Sequence, residues 1–119
     1  MITVKLNNLK VIKGRVSLLN NSNVGLEVSG HAMAGKHGED IVCAAVSTVA
    51  QTTAISLIEL AEIKVKIKQH DGFLSLNCPN IKEAQFEKFL TIMNVFWIGI
   101  REIAKLYPDK IKTIGTEDQ

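Results

Sequence analysis

Residues 40–61 read DIVCAAVSTVAQTTAISLIELA, and the fold turns on how that stretch is read. From Ile41 to Ile58 it carries no charge, over a length at which a membrane span becomes possible. Ser47, Thr48, Gln51, Thr52, Thr53 and Ser56 interrupt it, too many polar groups for a lone spanning helix. A buried helix fits better. Ile41, Ala45, Val49 and Leu57 fall on one side of it, and Val42, Val46, Ala50 and Ile58 on another. A helix apolar on most of its circumference must be covered on two sides, for instance by a sheet and by a second subunit. Asp40 opens this helix, which runs to about Ala61.

Working outward, the N-terminal flank alternates. Residues 2–6 and 9–13 carry Ile2, Val4, Leu6, Leu9 and Val11 at period two, the mark of a strand. Gly14 can turn the chain, and residues 15–19 resume as strand. The run Asn20-Asn21-Ser22-Asn23 is a turn, because short amide side chains bond locally and tolerate left-handed dihedrals. Val24, Leu26 and Val28 form a half-buried strand that ends at Gly30. Residues 31–39 hold Gly35 and Gly38, show no hydrophobic period and read as a mobile loop.

On the other flank, Ile63, Val65 and Ile67 alternate with Lys64, Lys66 and Lys68, giving a strand with one lysine face that would protect a sheet edge. His70-Asp71-Gly72 is a hairpin turn, Phe73–Asn77 returns as strand, and Pro79 stops it. A second helix spans about Lys82 to Leu106, with Phe86, Leu90, Met93, Trp97, Ile100 and Ala104 at helical spacing; Phe89, Phe96 and Ile103 widen the stripe. That stripe is core. Pro108 ends the helix, and residues 113–119 read as a frayed polar tail. The order strands, helix, strand hairpin, helix predicts an α+β fold. It is a two-layer sandwich, a β-sheet with two long helices packed on one face, within a single domain over 1–119.

Composition narrows function. The 119 residues are 46% hydrophobic and 22% charged, ordinary globular values that exclude a disordered or low-complexity chain. Fourteen basic against twelve acidic residues leave +2, too little for a general polyanion binder, and aromatics at 5% are a poor supply for base stacking. Direct nucleic-acid binding is therefore not expected. Two cysteines make no disulfide framework and suit a reducing cytoplasm. The start, MITVKL, alternates and lacks the layout of a targeting segment.

Chemistry concentrates at residues 29–47. His31 stands at a strand's end, and Cys43 follows about three residues into the predicted helix, in the first turn, where unpaired N–H groups favour an anion and hence a thiolate. The intervening loop is long enough to return the chain, so imidazole and thiol can meet, and a nearby base is what a thiol nucleophile requires. The bland alternative makes Cys43 a small packed hydrophobe and His31 a polar loop residue. Asp40, one turn before Cys43, is either a capping carboxylate or the group that orients His31. Ser47, on the same helix face as Cys43, bonds either the site or its own preceding carbonyl. Gly30 serves backbone geometry beside His31, where a side chain would crowd a substrate. Cys78 reads as structural; His37 and His70 read as solvated. No CxxC or HxxxH spacing supports a metal, and no cofactor is implied.

The pattern Ser29-Gly30-His31-Ala32, a glycine-bearing gap, then Gly38-Glu39-Asp40-Ile41-Val42-Cys43-Ala44-Ala45-Val46-Ser47 resembles the Prp family of ribosomal-processing cysteine proteases. Gln51-Thr52 also fits the family, and the element order from about 61 to 106 agrees more loosely. The resemblance implies a cytoplasmic, homodimeric endopeptidase that removes a short N-terminal extension from a large-subunit ribosomal protein. It also implies Cys43 as nucleophile and His31 as general base and then acid. The N–H groups at the helix start, that of Cys43 included, would then be oxyanion donors, and residues 32–38 a lid. Family members usually reach the motif histidine sooner, so roughly nine residues within 7–23 are extra, absorbed by a longer strand or an inserted hairpin. The competing class is a non-catalytic ribosome-associated or assembly-binding module that uses the lysine strand. The helices are expected to bury apolar surface in a two-fold dimer.

Overall fold

The computed structural model describes residues 1–30 and 37–114, with the side chains of 37–40 excepted. Its first strand, β1 (Ile2–Asn7), is followed by β2 (Leu9–Ile12), β3 (Arg15–Leu18) and β4 (Ser22–Ser29). Helix α1 (His37–Glu59) leads to the hairpin β5 (Lys66–His70) and β6 (Phe73–Asn80). A 3-10 turn at Glu83–Gln85 opens α2 (Phe86–Leu106), and β7 (Ile111–Ile114) closes the chain. Five strands form one sheet in the order β5-β6-β4-β1-β7, all neighbours antiparallel except β1 and β7, which run parallel.

Period-two alternation gives this sheet one buried face. Ile2, Val4 and Leu6 of β1, Val24 and Leu26 of β4, and Leu74, Leu76 and Cys78 of β6 point to the core, while Lys5, Lys66 and Lys68 stay in water. Both helices lie on that buried face, as the element order predicts. From α1 the core receives Val42, Val46, Ala50, Ala54 and Leu57; from α2 it receives Phe89, Met93, Phe96 and Ile100. The second stripe is rotated from the expected one: Phe86, Leu90, Trp97 and Ala104 are only half-buried. Each helix leans toward its neighbour as well as the sheet, and Gly99 permits this, since a Cβ there would sit 3.1 Å from Val49 Cγ1. Burial of the α1 stripe against a sheet is what a lone membrane span would lack.

Residues 9–18 form a hairpin of their own. Strands β2 and β3 pair with each other as a separate two-stranded sheet. Asn8 closes its neck: in the left-handed region at φ 58°, its amide donates to the Ser22 and Asn23 carbonyls, and its own carbonyl accepts from Leu19 N–H. Asn94 of α2 clamps the other end by accepting from Val16 N–H at 2.8 Å and donating to the Val16 carbonyl at 3.3 Å. Leu9, Val11 and Val16 join the main core through this contact.

Several boundaries differ from the sequence reading. The first helix begins three residues earlier than Asp40 and ends at Glu59. Beyond it, Glu62 turns left-handed at φ 55° and Ile63 N–H bonds the Leu57 carbonyl. Ile63 therefore packs as a buried cap residue, and pairing begins only at Lys66. Pro79 does not stop β6, which continues to Asn80 against Ser22. The partner β5 ends opposite Asn77, so on that side the ladder needs no donor from a proline. Thr113 and Ile114 are not tail: they pair beside Val4 and Lys5 in β7. Residues 115–119 lie outside the described part.

Candidate active site

The thiol of Cys43 lies at one end of the sheet. Its pocket, about 360 Å³ in volume, is walled by Ile2 at the start of β1, Val28 and Gly30 at the end of β4, Ser47 on α1, and the hairpin Gln69–Leu74. Cys43 is half-buried and unpaired, so its sulfur faces the pocket from the helix side while the hairpin faces it from the sheet side.

Gly30 fixes this corner. It adopts φ +109°, and a Cβ there would run into the Met1 carbonyl oxygen. Its N–H bonds the Gly72 carbonyl at 3.1 Å, tying the end of β4 to the turn of the β5–β6 hairpin. The glycine is thus required by backbone geometry, and the group a side chain would strike is the Met1 carbonyl just before β1. Ser47 lines the pocket one turn past Cys43, and its hydroxyl accepts from Gln51 Nε2 at 3.1 Å, a partner other than the two the sequence offers.

Two expectations change with the helix boundary. Asp40 is the fourth residue of α1, not its cap, and its side chain lies outside the description. Cys43 is the seventh residue, in the second turn. Its N–H therefore belongs to the intrahelical ladder, and only the first four N–H groups of a helix lack such a partner. Neither the first-turn argument for the thiolate nor an oxyanion role for the Cys43 N–H survives that shift. His31 and residues 32–36 lie outside the described residues, and with them most of the predicted lid.

The place of the predicted hairpin, beside the thiol, is what sequence reasoning missed. His70 is exposed as expected, yet its ring stacks on Phe73 with centroids 4.9 Å apart and planes 15° apart, on the rim of the Cys43 pocket. Its Nδ1 lies 3.4 Å from the Asp71 carbonyl. The Asp71-Gly72 turn was legible; that β4 carries it beside α1 was not, because strand order is a long-range property. Cys78 is the opposite kind of thiol. It is fully buried in β6, and desolvation pushes its pKa up to about 11.

Comparison with known proteins agrees with this architecture. No curated protein matches the chain. The crystal structure of SMU.848 from Streptococcus mutans is similar at 28% identity and a TM-score of 0.70, over 98% of this chain and 96% of that one. The essential ribosomal processing protease Prp from S. aureus, crystallised with a substrate peptide, shares the fold at 22% identity and a TM-score of 0.70, over 98% of this chain and 100% of that one. The model of the family described as cysteine protease Prp matches residues 11–112, which sets aside the non-catalytic binding module. The chain belongs to the Prp family of cysteine proteases.

Proposed function

We propose that this cysteine protease removes the N-terminal extension of a large-subunit ribosomal protein, with Cys43 as nucleophile and His31 as general base. One observation carries the residue assignment: Gly30, bonded directly to His31, lines the same pocket as the half-buried thiol of Cys43. In the first step His31 takes the thiol proton while sulfur adds to the scissile carbonyl carbon. The tetrahedral intermediate collapses with breakage of the C–N bond, and His31 protonates the leaving amine. Water then attacks the thioester, His31 takes one of its protons, and the C–S bond breaks as His31 returns that proton to the Cys43 sulfur, restoring the free enzyme. Ser47 and Gly30 shape the pocket in this reading. Asp40 keeps one of the two roles the sequence allows, orienting His31, since the cap lies earlier in the chain.

The peptide complex of the S. aureus protein supports a peptide substrate, and the free state of both thiols is in keeping with a reducing cytoplasm. We further propose a homodimer. Val95, Ile98 and Leu60 are 64%, 46% and 62% exposed, and with Thr52 and Thr91 of the two helices Leu60 and Val95 border a groove of about 490 Å³. A self-complementary two-fold contact would cover this apolar surface.

The test is incubation with the organism's own N-terminally extended ribosomal protein, followed by mass analysis. Wild type is expected to release the extension, and Cys43→Ala and His31→Ala to leave it intact while keeping the native circular dichroism. Retained cleavage by Cys43→Ala would refute the assignment. Mixing the two inactive variants reports on site architecture: recovered activity means that the pair acts across the dimer.

A further inference from the structure

Strand β5 is the last strand of its sheet edge, and β6 is its only partner among the described residues. Its backbone therefore presents unpaired groups on the outer side. On the core-facing side of β5, Ile67 and Gln69 stand opposite Leu76 and Leu74, and Ile67 is nevertheless 47% exposed. Between this edge and α1 lies a second pocket of about 170 Å³, lined by Ala50, Gln51, Ala54, Ile55, Ile67 and Gln69 over a floor of Leu74 and Leu76. Gln69 and Leu74 also line the Cys43 pocket, so the two cavities adjoin along these residues and form one trench.

The trench has the dimensions of an extended peptide. From Cys43 to Ala54 the helix rises about 16 Å, the span of about five extended residues. Ala50 and Ala54 are the smallest side chains of the buried α1 stripe that could face a strand edge, and their size leaves room that Ile55 and Ile67 wall off. The lysines of β5, Lys66 and Lys68, pair with Asn77 and Ser75 on the opposite face of the sheet, so the trench itself is uncharged apart from its open end.

We propose that the substrate peptide adds to the free edge of β5 as a further strand and that one apolar side chain, an even number of residues from the side chain beside Cys43, seats in the Ala50–Ala54–Ile67 pocket. The period of two follows from the strand: residues that face α1 alternate, as Gln69 and Ile67 do. Continuity with the Cys43 pocket identifies the occupant as the peptide being cut, so the proposal rests on the protease reading of that thiol.

The experiment uses synthetic ten-residue peptides spanning the cleavage junction of the organism's extended ribosomal protein, with an apolar residue exchanged for alanine at each position in turn. Cleavage is measured with wild type, and binding is measured by fluorescence anisotropy on the Cys43→Ala chain. Ile67→Asp, at an exposed position, is expected to raise KM about tenfold with the smaller part of the effect in kcat, and Ile67→Leu to restore it. Alanine at one peptide position should reproduce the loss, and the two losses should fail to add, since they remove the same contact. N-methylation of the peptide should weaken binding at every second amide. Losses that add at every position, an unchanged KM, or a uniform response to N-methylation would each overturn the trench. Binding that depends on Ile67 without any cleavage by wild type would refute the protease reading and keep the trench. Cleavage indifferent to Ile67 does the reverse.

Discussion

The two cysteines show how environment separates identical side chains. Cys43 sits half-buried at a pocket wall, whereas Cys78 has no exposed surface and a thiol that ionises only near pH 11. With iodoacetamide at neutral pH, peptide mapping is expected to find Cys43 alkylated and Cys78 untouched until the chain unfolds. Equal labelling of both in the folded protein would contradict the burial. The same shift predicts an alkaline loss of stability. The unfolded thiol ionises near 9 and the folded one near 11, so the unfolded state loses its proton first and stability falls through that window. Two units correspond to about 3 kcal/mol. Cys78→Ala should flatten this fall in urea titrations between pH 8 and 11, at a cost of about 1 kcal/mol at neutral pH. At Gly30, alanine meets both a left-handed φ and the Met1 carbonyl. Gly30→Ala is expected to lower stability by about 2 kcal/mol, read as a shift in the urea midpoint.

At the scale of elements, the β2–β3 hairpin is tied to α2 by one polar clamp, the Asn94 side chain. Asn94 makes both backbone bonds to Val16 and also donates to the Leu90 carbonyl. Asn94→Ala would leave the Val16 N–H and carbonyl without that partner in a half-buried site, a loss of about 1–3 kcal/mol. Since β2 and β3 lie apart from the five-stranded sheet, cleavage should persist in the folded fraction. An unaltered denaturation midpoint would show that the clamp contributes nothing. Element types were legible because each has a period of its own, two for β1, β4 and β6 and 3.6 for α2. Boundaries were less so. No local feature of residues 37–39 announced helix, and nothing in Ile111–Ile114 by itself says that a parallel neighbour, β1, is waiting for it.

For the whole molecule, the open question of the sequence was what covers the second side of α1. The structure gives the sheet-facing stripe to the core and turns another part toward α2, leaving Ile55 and Ile58 at 52% and 44% exposure and Val95 at 64%. If the interhelical groove is a dimer contact, Val95→Asp should convert a sedimenting dimer of about 26 kDa into the 13.1 kDa monomer without loss of secondary structure. A wild-type protein that sediments as a monomer at micromolar concentration would refute the dimer outright.

What the sequence by itself determined was local and periodic: the two helices, the strand hairpin with its Asp-Gly turn, and the Ser-Gly-His and Val-Cys-Ala segments that carry the resemblance. These depend on residues within a few positions of one another, or on a motif read as a string. Only the tertiary structure decided that Gly30 is tied to the Gly72 carbonyl and crowded by that of Met1, and that Cys43 stands in the second helical turn. It also decided that Gln69 and His70 border the thiol's pocket. Those facts depend on β5, β6, β4 and β1 lining up in that order, and strand order is set by which apolar faces can be buried together, a sum over the whole chain that no short window contains.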